Sequence, residues 1–204
     1  MGYYPIAVDL TDRKCLIIGG GVVALRKAQS LLEAGARVTV IAPEVDAAFE
    51  KLSEVEVMRR DYKSGDVSGH TLVFAATNNR NLNDLIAKEA MQSSVHVNVV
   101  DDPELCSFIV PSLIRRGNLL IAISTSGKSP ALSKKIRREL EDLYGEEYAV
   151  FVDLLGEMRE LVKSKYKSQP EREAVFNKLL NSGIIELIRE GKMEEARERA
   201  LQCI

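Results

Sequence analysis

The chain has 204 residues, of which 46% are hydrophobic and 28% are charged, as expected for one or two globular domains with a substantial core. Its formal net charge of −2 provides no overall positive field, so we predict no nucleic-acid partner. The longest apolar runs fall short of the ~18 residues of a membrane span, and the N-terminus lacks the pattern of a signal peptide, so we also predict no membrane association.

The cysteines and histidines indicate a reducing environment and no resident metal. Cys15, Cys106 and Cys203 are scattered and include no CxxC pair, which argues against a disulfide framework and favours the cytoplasm. His70 and His96 do not complete a metal-ligand spacing with them, so we predict no structural metal site.

Strand and helix patterns alternate through the first part of the chain. Short apolar, β-branched runs predict five strands, and apolar residues at helical spacing predict helices between them. Such alternation predicts a parallel sheet with right-handed crossovers. The predicted order is β-α-β-α-β-β-α-β, with strands at Cys15–Ile18, Arg37–Ala42, Val55–Met58, Thr71–Ala75 and Val95–Val100, and with helices that end at Gly35, span Glu44–Leu52, and are capped by Asn79 or Asn81.

The pattern changes after the turn at residues 101–103. Ser107–Leu113 and Asn118–Ser124 predict two strands joined by Arg115-Arg116-Gly117. Pro111 would place the first of these strands at an edge or a bulge, because proline cannot donate to a strand ladder.

The remainder of the chain has helical spacing. Ser129 and Pro130 provide the N-cap and the first position of a helix, and the chain is all-helical from residue 146 onward. We therefore predict an α/β fold in three parts: a Rossmann-like parallel-sheet domain at residues 1–113, a small α+β segment at 114–145, and an all-helical C-terminal domain at 146–204.

A glycine-rich stretch, Gly19-x-Gly21-x-x-Ala24, follows the first predicted strand and opens the next helix. In this pattern Gly19 permits a tight turn, Gly21 lets backbone amides approach a pyrophosphate, and Ala24 lets the helix pack closely on the strand. The helix N-terminus then favours a bound anion. We predict a dinucleotide-binding loop, and the alternative is a glycine-rich turn that serves packing alone.

Two further turns are candidates for the cofactor site. Pro43-Glu44 ends the second strand, where Glu44 would hold ribose hydroxyls or else be an exposed carboxylate at a helix start. The absence of an arginine after this strand favours NAD over NADP. Thr77 and Asn78 follow the fourth strand, where they would line the cofactor or act as ordinary turn and capping residues.

Asp101 and Asp102 end the fifth strand at the same edge of the sheet. A carboxylate beside a nicotinamide can accept a proton as hydride leaves a substrate. Asp-Asp-Pro is also common turn chemistry, and the spacing by itself favours the turn.

A polar loop, Ser124-Thr125-Ser126-Gly127-Lys128-Ser129, connects a predicted strand to a helix start. Its amides, together with Ser124, Thr125 and Lys128, offer contacts to an anionic ligand. A phosphate-binding ATPase loop would need glycine where this chain has Ala122, so we discount ATP hydrolysis.

Basic residues cluster around this loop, and we call them the basic strip. They indicate either a polyanionic substrate or a solvated helix face. The basic strip comprises Arg115, Arg116, Lys128, Lys134, Lys135, Arg137 and Arg138.

Taken together, these motifs resemble the siroheme synthase dehydrogenase family, which includes precorrin-2 dehydrogenases and bifunctional precorrin-2 dehydrogenase/sirohydrochlorin ferrochelatases. The matching stretches lie between residues 3 and 140. The ordered motifs NVVDD, SFIVPS, RRG and STSGKSP are more specific to the family than the glycine loop.

The resemblance implies an enzyme that uses NAD to oxidise precorrin-2, a macrocycle with eight carboxylates, to sirohydrochlorin, and it leaves open a second activity of iron insertion. It implies a homodimer, with residues 114–145 as the dimerisation segment. It also implies specific roles: catalysis by Asp101, cofactor contacts at Val22, Val23, Pro43 and Glu44, and substrate contacts at Ser124, Thr125, Arg115 and Arg116. Some members have serine where this chain has Thr125, so a role specific to serine does not transfer.

Two other functions fit the same loop. A non-catalytic NAD-sensing module would share Gly19 to Ala24 but would not need Asp101 or the basic strip. A dehydrogenase acting on another anionic small molecule would share all of these features.

Overall fold

The computed structural model describes residues 2–204, which form two compact units, one ending at Val110 and the other beginning at Pro111. The first unit contains β1 (Lys14–Ile18), α1 (Val22–Glu33), β2 (Arg37–Ile41), β3 (Glu56–Met58), β4 (Leu72–Ala75), α2 (Arg80–Gln92) and β5 (His96–Val99). The second contains β6 (Ser112–Arg116), β7 (Leu119–Ile123), α3 (Pro130–Leu143), α4 (Glu147–Lys165), α5 (Gln169–Leu180), α6 (Ile184–Arg189) and α7 (Met193–Gln202).

The first unit is built on a five-stranded sheet of order β3-β2-β1-β4-β5 in which every neighbouring pair is parallel. The chain winds outward from β1 to β3 and then returns to the other side of β1 as β4. The strand order therefore reverses between β1 and β4, and ligands of open parallel sheets bind at such a reversal, outside the carboxyl ends of the strands. This confirms the predicted Rossmann-like architecture.

Both faces of the sheet are buried because successive strand residues point to opposite sides. Ile17 and Phe74 pack on one face with Ala24 and Ala28 of α1. Leu16 and Val73 pack on the other face among the side chains of α2. Each face thus has its own core, which explains why the strands are apolar along their whole length.

The second unit combines an antiparallel hairpin with helices. The predicted strand at Ser107–Leu113 is wrong in its position: β6 begins only at Ser112, and Arg115 and Arg116 lie within it. The turn that joins β6 to β7 is Gly117-Asn118, and Gly117 adopts the positive φ of +54° that this two-residue turn needs. Ser107 instead lies beside β5, where its amide donates to the Val97 carbonyl at 2.9 Å.

Helices account for the rest of the chain from residue 147, as predicted, and their core is formed by side chains such as Phe151, Leu154, Leu179 and Ile184. We find no helix within residues 2–204 whose length and hydropathy would carry it through a lipid bilayer.

Helix starts follow the predicted capping chemistry with one difference. Asn79 caps α2 and Ser129 caps α3, each by accepting a backbone N–H. The helix predicted at Glu44–Leu52 is a shorter 3₁₀ helix, Ala47–Lys51, because Asp46 rather than Glu44 supplies its cap.

Candidate functional site

Gly19 lies at the end of β1, where the strand order reverses. Its φ of +123° is a conformation that glycine adopts and that residues with a side chain rarely do. A Cβ there would lie 2.2 Å from the Ala76 carbonyl oxygen. The backbones that follow β1 and β4 therefore approach so closely that no side chain fits between them.

Gly20 is a second point of close approach, which the motif analysis left unassigned. A Cβ on Gly20 would lie 2.1 Å from the Glu44 carbonyl oxygen, and the Asp46 amide donates to the Gly20 carbonyl at 2.8 Å. These contacts fasten the segment after β2 onto the glycine loop. Three consecutive glycines were the available sequence signal.

Gly21 differs from its two neighbours. It is the exposed N-cap of α1, and a Cβ there would meet no protein atom of residues 2–204 within 4 Å. No side chain of the described residues caps this helix, and no acidic residue lies in its first turn. The N–H groups of Val22 and Val23 thus face open space at the positive end of a helix, which fits the phosphates of a dinucleotide.

Pro43 and Glu44 are both exposed and follow directly after the end of β2. The contact between Gly20 and the Glu44 backbone brings this segment beside the glycine loop. Glu44 is therefore placed where an acidic residue of a Rossmann fold holds ribose hydroxyls.

The backbone of Thr77 lies beside Gly19, while the Thr77 side chain forms hydrogen bonds within the protein. The Thr77 hydroxyl donates to Asn83 Oδ1 at 2.7 Å, and Asn83 Nδ2 donates back to the Thr77 carbonyl at 3.0 Å. Asn83 is buried, and sequence reasoning missed it although a polar residue on the buried stripe of α2 was the signal. Asn78 is exposed and free to line the cofactor.

Asp101 follows β5 at the same carboxyl edge as the glycine loop. It is exposed and has a φ of +61°, a left-handed conformation that asparagine and aspartate adopt more readily than most residues. Asp102, by contrast, lies 3.6 Å from Arg80 at the start of α2. The two adjacent carboxylates therefore differ in their partners. Within residues 2–204 the Asp101 carboxylate forms no hydrogen bond and no ion pair.

In the second unit, the loop before α3 is closed by its own hydroxyls. The Ser124 hydroxyl accepts from the Ser126 amide at 3.0 Å, and that of Thr125 accepts from the Ser129 amide at 3.0 Å. Positive φ values at Ser126 and Gly127 form the bend, and the Lys128 side chain is exposed. Thr125 therefore has a local structural use that serine would also provide.

Several members of the basic strip are already paired. Arg116 donates to the Tyr144 carbonyl at 3.0 Å and lies 3.3 Å from Glu146, so it fastens β6 to the end of α3. Lys135 and Arg137 pair with glutamates four residues ahead on α3. The members that form no ion pair within residues 2–204, and that are exposed, are Arg115, Lys128, Lys134 and Arg138.

Metal binding has no fixed site in the described part of the chain. Within residues 2–204, His, Cys, Asp and Glu side chains do not gather in groups of three or more that could hold a metal ion.

A parallel sheet with a glycine loop at its reversal point, free helix amides and a nearby acidic segment defines a Rossmann-type dinucleotide-binding protein. A family model described as "Putative NAD(P)-binding" matches residues 6–112. Two further models match the second unit: "Sirohaem biosynthesis protein central" at residues 116–143 and "Sirohaem synthase dimerisation region" at residues 147–204. The chain belongs to the siroheme synthase dehydrogenase family and binds NAD.

Individual relatives agree with this assignment. The chain is 37% identical over 200 residues to a siroheme synthase of Vesicomyosocius okutanii and 38% identical over 205 residues to that of Photorhabdus laumondii. These alignments cover 97% and 99% of this chain but only 43% and 44% of the relatives, so the chain spans less than half of their length. A solved structure titled "SirC, precorrin-2 dehydrogenase" matches with a TM-score of 0.79 and 27% identity, covering 98% of both chains.

The glycine loop generates a prediction that separates folding from binding. In Gly21→Ala the added methyl group meets no protein atom but enters the space above the free amides, so we expect about a tenfold or greater loss of NAD affinity with an unchanged melting temperature. Gly20→Ala should lower both the NAD affinity and the melting temperature, because its methyl group collides with the Glu44 backbone. Calorimetric titration with NAD and thermal unfolding provide the two measurements.

Gly156→Ala in α4 is the matched control, since a Cβ there also meets nothing within 4 Å. It should keep the parental NAD affinity and slightly raise stability, because alanine favours a helix interior over glycine. Unchanged NAD affinity in Gly21→Ala would contradict the assigned phosphate position.

Proposed function

We propose that this chain is an NAD-dependent dehydrogenase that oxidises precorrin-2 to sirohydrochlorin in siroheme biosynthesis. The observation that carries the proposal is the exposed, unpaired carboxylate of Asp101, held in a left-handed conformation at the same sheet edge as the glycine loop. Strained residues that a structure maintains cluster at functional sites. The structural similarity to a protein titled as a precorrin-2 dehydrogenase, over nearly the whole of both chains, supports the substrate.

The cofactor would be held mainly by backbone groups. The amides of Val22 and Val23 at the start of α1 would bind the pyrophosphate, with Gly19 and Gly21 leaving room for it. The exposed Pro43-Glu44 segment would contact the adenosine ribose, and the backbone after β4 at Thr77 and Asn78 would line the nicotinamide half.

Asp101 would act as the base of the reaction. Bound NAD supplies the acceptor for the hydride that leaves precorrin-2. Oxidation also releases a proton, and the Asp101 carboxylate would accept it, since it is exposed and is not engaged by a partner within residues 2–204. Asp102 is instead turned toward Arg80 and would not share this role.

The second unit would bind the substrate's carboxylates through the cations that are not already paired. Lys134 and Arg138 are four residues apart on α3 and line one open groove, which they share with Lys135, Glu139 and Asp142. Arg115 and Lys128 are exposed and also unpaired, whereas Arg116 is committed to Tyr144 and Glu146. Ser124 and Thr125 shape the loop that carries Lys128 and opens α3.

We also propose a homodimer that uses the outer face of the β6–β7 hairpin. Ile114 on the inner face is buried, whereas Leu113 and Leu120 on the outer face are 38% and 43% exposed. Leu113 and Leu120 share this face with Arg115, and the two exposed leucines favour its burial against a second copy. The name "dimerisation region" belongs to the model matching residues 147–204, so the helical tail is the alternative location of the contact.

The free cysteines favour a cytoplasmic location. All three cysteines are unpaired as free thiols. Burial raises the pKa of the Cys15 thiol to about 11, which keeps it protonated and unreactive.

The central test of the proposed activity is Asp101→Asn. We expect kcat for precorrin-2 oxidation to fall by about a hundredfold or more, because the amide cannot accept the proton, while the Kd for NAD stays unchanged. The absorbance of the NADH formed during precorrin-2 oxidation measures kcat, and calorimetry measures the Kd for NAD. Asp102→Asn should retain most of the activity.

Undiminished NADH formation by Asp101→Asn would remove Asp101 from the mechanism. Binding of NAD by the parental protein without turnover of precorrin-2 would favour the NAD-sensing module instead. Turnover of a different anionic substrate in preference to precorrin-2 would favour the other dehydrogenase.

A second prediction concerns substrate binding. The double variant Lys134→Ala/Arg138→Ala should raise KM for precorrin-2 by about three- to tenfold with little change in kcat, since exposed charge pairs contribute up to about 1 kcal/mol each. Lys135→Ala/Arg137→Ala, which removes the same charge but from internally paired residues, is the matched control and should change KM less. Equal effects of the two double variants would reject the assignment.

The third prediction concerns assembly. Leu120→Glu should dissociate the dimer into monomers, because it places a charge on the outer hairpin face, and sedimentation velocity measures the outcome. Leu201→Glu, at an exposed leucine of α7, tests the tail in the same assay, and Leu85→Glu on α2 is the control in the first unit. Dissociation by Leu201→Glu alone would place the contact in the tail.

A further inference from the structure

Cys106 lies beside the turn that carries Asp101. We define the Asp101 turn as residues 99–102, which connect β5 to the 3₁₀ helix Pro103–Leu105. The Cys106 Sγ accepts from the Val99 amide at 3.1 Å and lies 3.3 Å from the carbonyl oxygens of both Val99 and Asp102. One thiol thus bonds to the backbone on either side of Asp101.

The backbone contacts of the turn leave it weakly closed, and Asp102 adds an ion pair at 3.6 Å to the exposed side chain of Arg80. The Val100 amide donates to the Ala75 carbonyl at 3.0 Å, which fixes the turn to β4 only at its first half. Across the turn itself, the Asp102 amide reaches the Val99 carbonyl at a long 3.4 Å. A left-handed residue such as Asp101 costs free energy and persists only where its surroundings enforce it. The contacts of the Cys106 thiol with Val99 and Asp102 connect the two ends of the turn a second time.

The chemistry of Cys106 suits this use. The thiol is partly buried, and this desolvation raises the pKa of Cys106, so the sulfur keeps the proton that it donates to a carbonyl. The Asn98 Nδ2 donates to the Phe108 carbonyl at 3.1 Å and so holds the segment that follows Cys106 against β5. The sulfur is therefore fixed relative to the strand end that precedes Asp101.

We propose that Cys106 is a positioning residue of the dehydrogenase, whose thiol closes the Asp101 turn and so aims the Asp101 carboxylate at the substrate. This inference rests on the proposed catalytic role of Asp101. In this role Cys106 needs to touch neither substrate nor cofactor. Its removal should therefore lower the rate of the chemical step and leave cofactor binding intact.

The test compares Cys106→Ala with Cys106→Ser in the full chain. We expect kcat for precorrin-2 oxidation to fall by about ten- to a hundredfold in Cys106→Ala, because small misplacements of a catalytic group are costly, while the Kd for NAD is unchanged. Cys106→Ser retains a donor and an acceptor and should recover most of the lost kcat. Cys203→Ala removes a buried thiol from the second unit and is the matched control for loss of a cysteine.

A double-mutant cycle with Asp101→Asn distinguishes positioning from general stability. In the Asp101→Asn background, Cys106→Ala should not lower the residual kcat further, since no carboxylate remains to be aimed. An equal loss of kcat in both backgrounds would overturn the inference, as would a parental kcat in Cys106→Ala. If Cys106→Ala unfolds below the assay temperature, Cys106→Val, which fills a similar volume without a donor, takes its place in the cycle.

The outcomes for the two proposals are separable. If Asp101→Asn abolishes turnover and Cys106→Ala does not reduce it, the dehydrogenase proposal stands and the role of Cys106 is rejected. If Asp101→Asn keeps full activity, the proposed function of Asp101 fails, whatever Cys106→Ala does.

Discussion

The close approach of three backbone segments at the end of β1 is the constraint on which the site depends. Gly19 touches the segment after β4, and Gly20 touches the segment after β2, so each of the two loops is fastened to the glycine loop without any side chain between them. Because all five strands of this sheet are parallel, these loops lie at one edge of the sheet. The packing therefore places the glycine loop, the Glu44 segment and the Asn78 turn together.

This arrangement also explains the separate use of Gly21. The two preceding glycines are needed for the protein to close on itself, whereas Gly21 is bounded by empty space and by the free amides of α1. With glycine at this N-cap, the helix start forgoes roughly a few tenths of a kcal/mol of stability relative to a serine or aspartate cap. That loss is offset when an anion occupies the position, because the amides then gain charged partners in place of water.

The sequence predicts the sheet well and the details of the site less well, for identifiable reasons. Apolar strands such as β1 and β4 are buried on both faces, so composition and burial agree and their positions could be predicted. The start of β6 is misplaced by the sequence because residues 108–111 are apolar yet lie outside any strand, and here Ser107 and Phe108 bond to β5 from a loop. Likewise, adjacent aspartates look equivalent in the sequence, whereas in the structure Asp101 is exposed with a positive φ and Asp102 pairs with Arg80.

The basic strip shows the same difference between composition and structure. The basic residues look alike in the sequence, but in the structure Lys135 and Arg137 pair with glutamates four residues ahead on α3, whereas Lys134 and Arg138 form no ion pair within residues 2–204. A polycarboxylate would have to displace an existing carboxylate to reach the paired residues, whereas the unpaired ones lose only hydration. Substrate affinity should therefore reside in the four unpaired cations of the basic strip, and because these are exposed, it should weaken steadily as ionic strength rises.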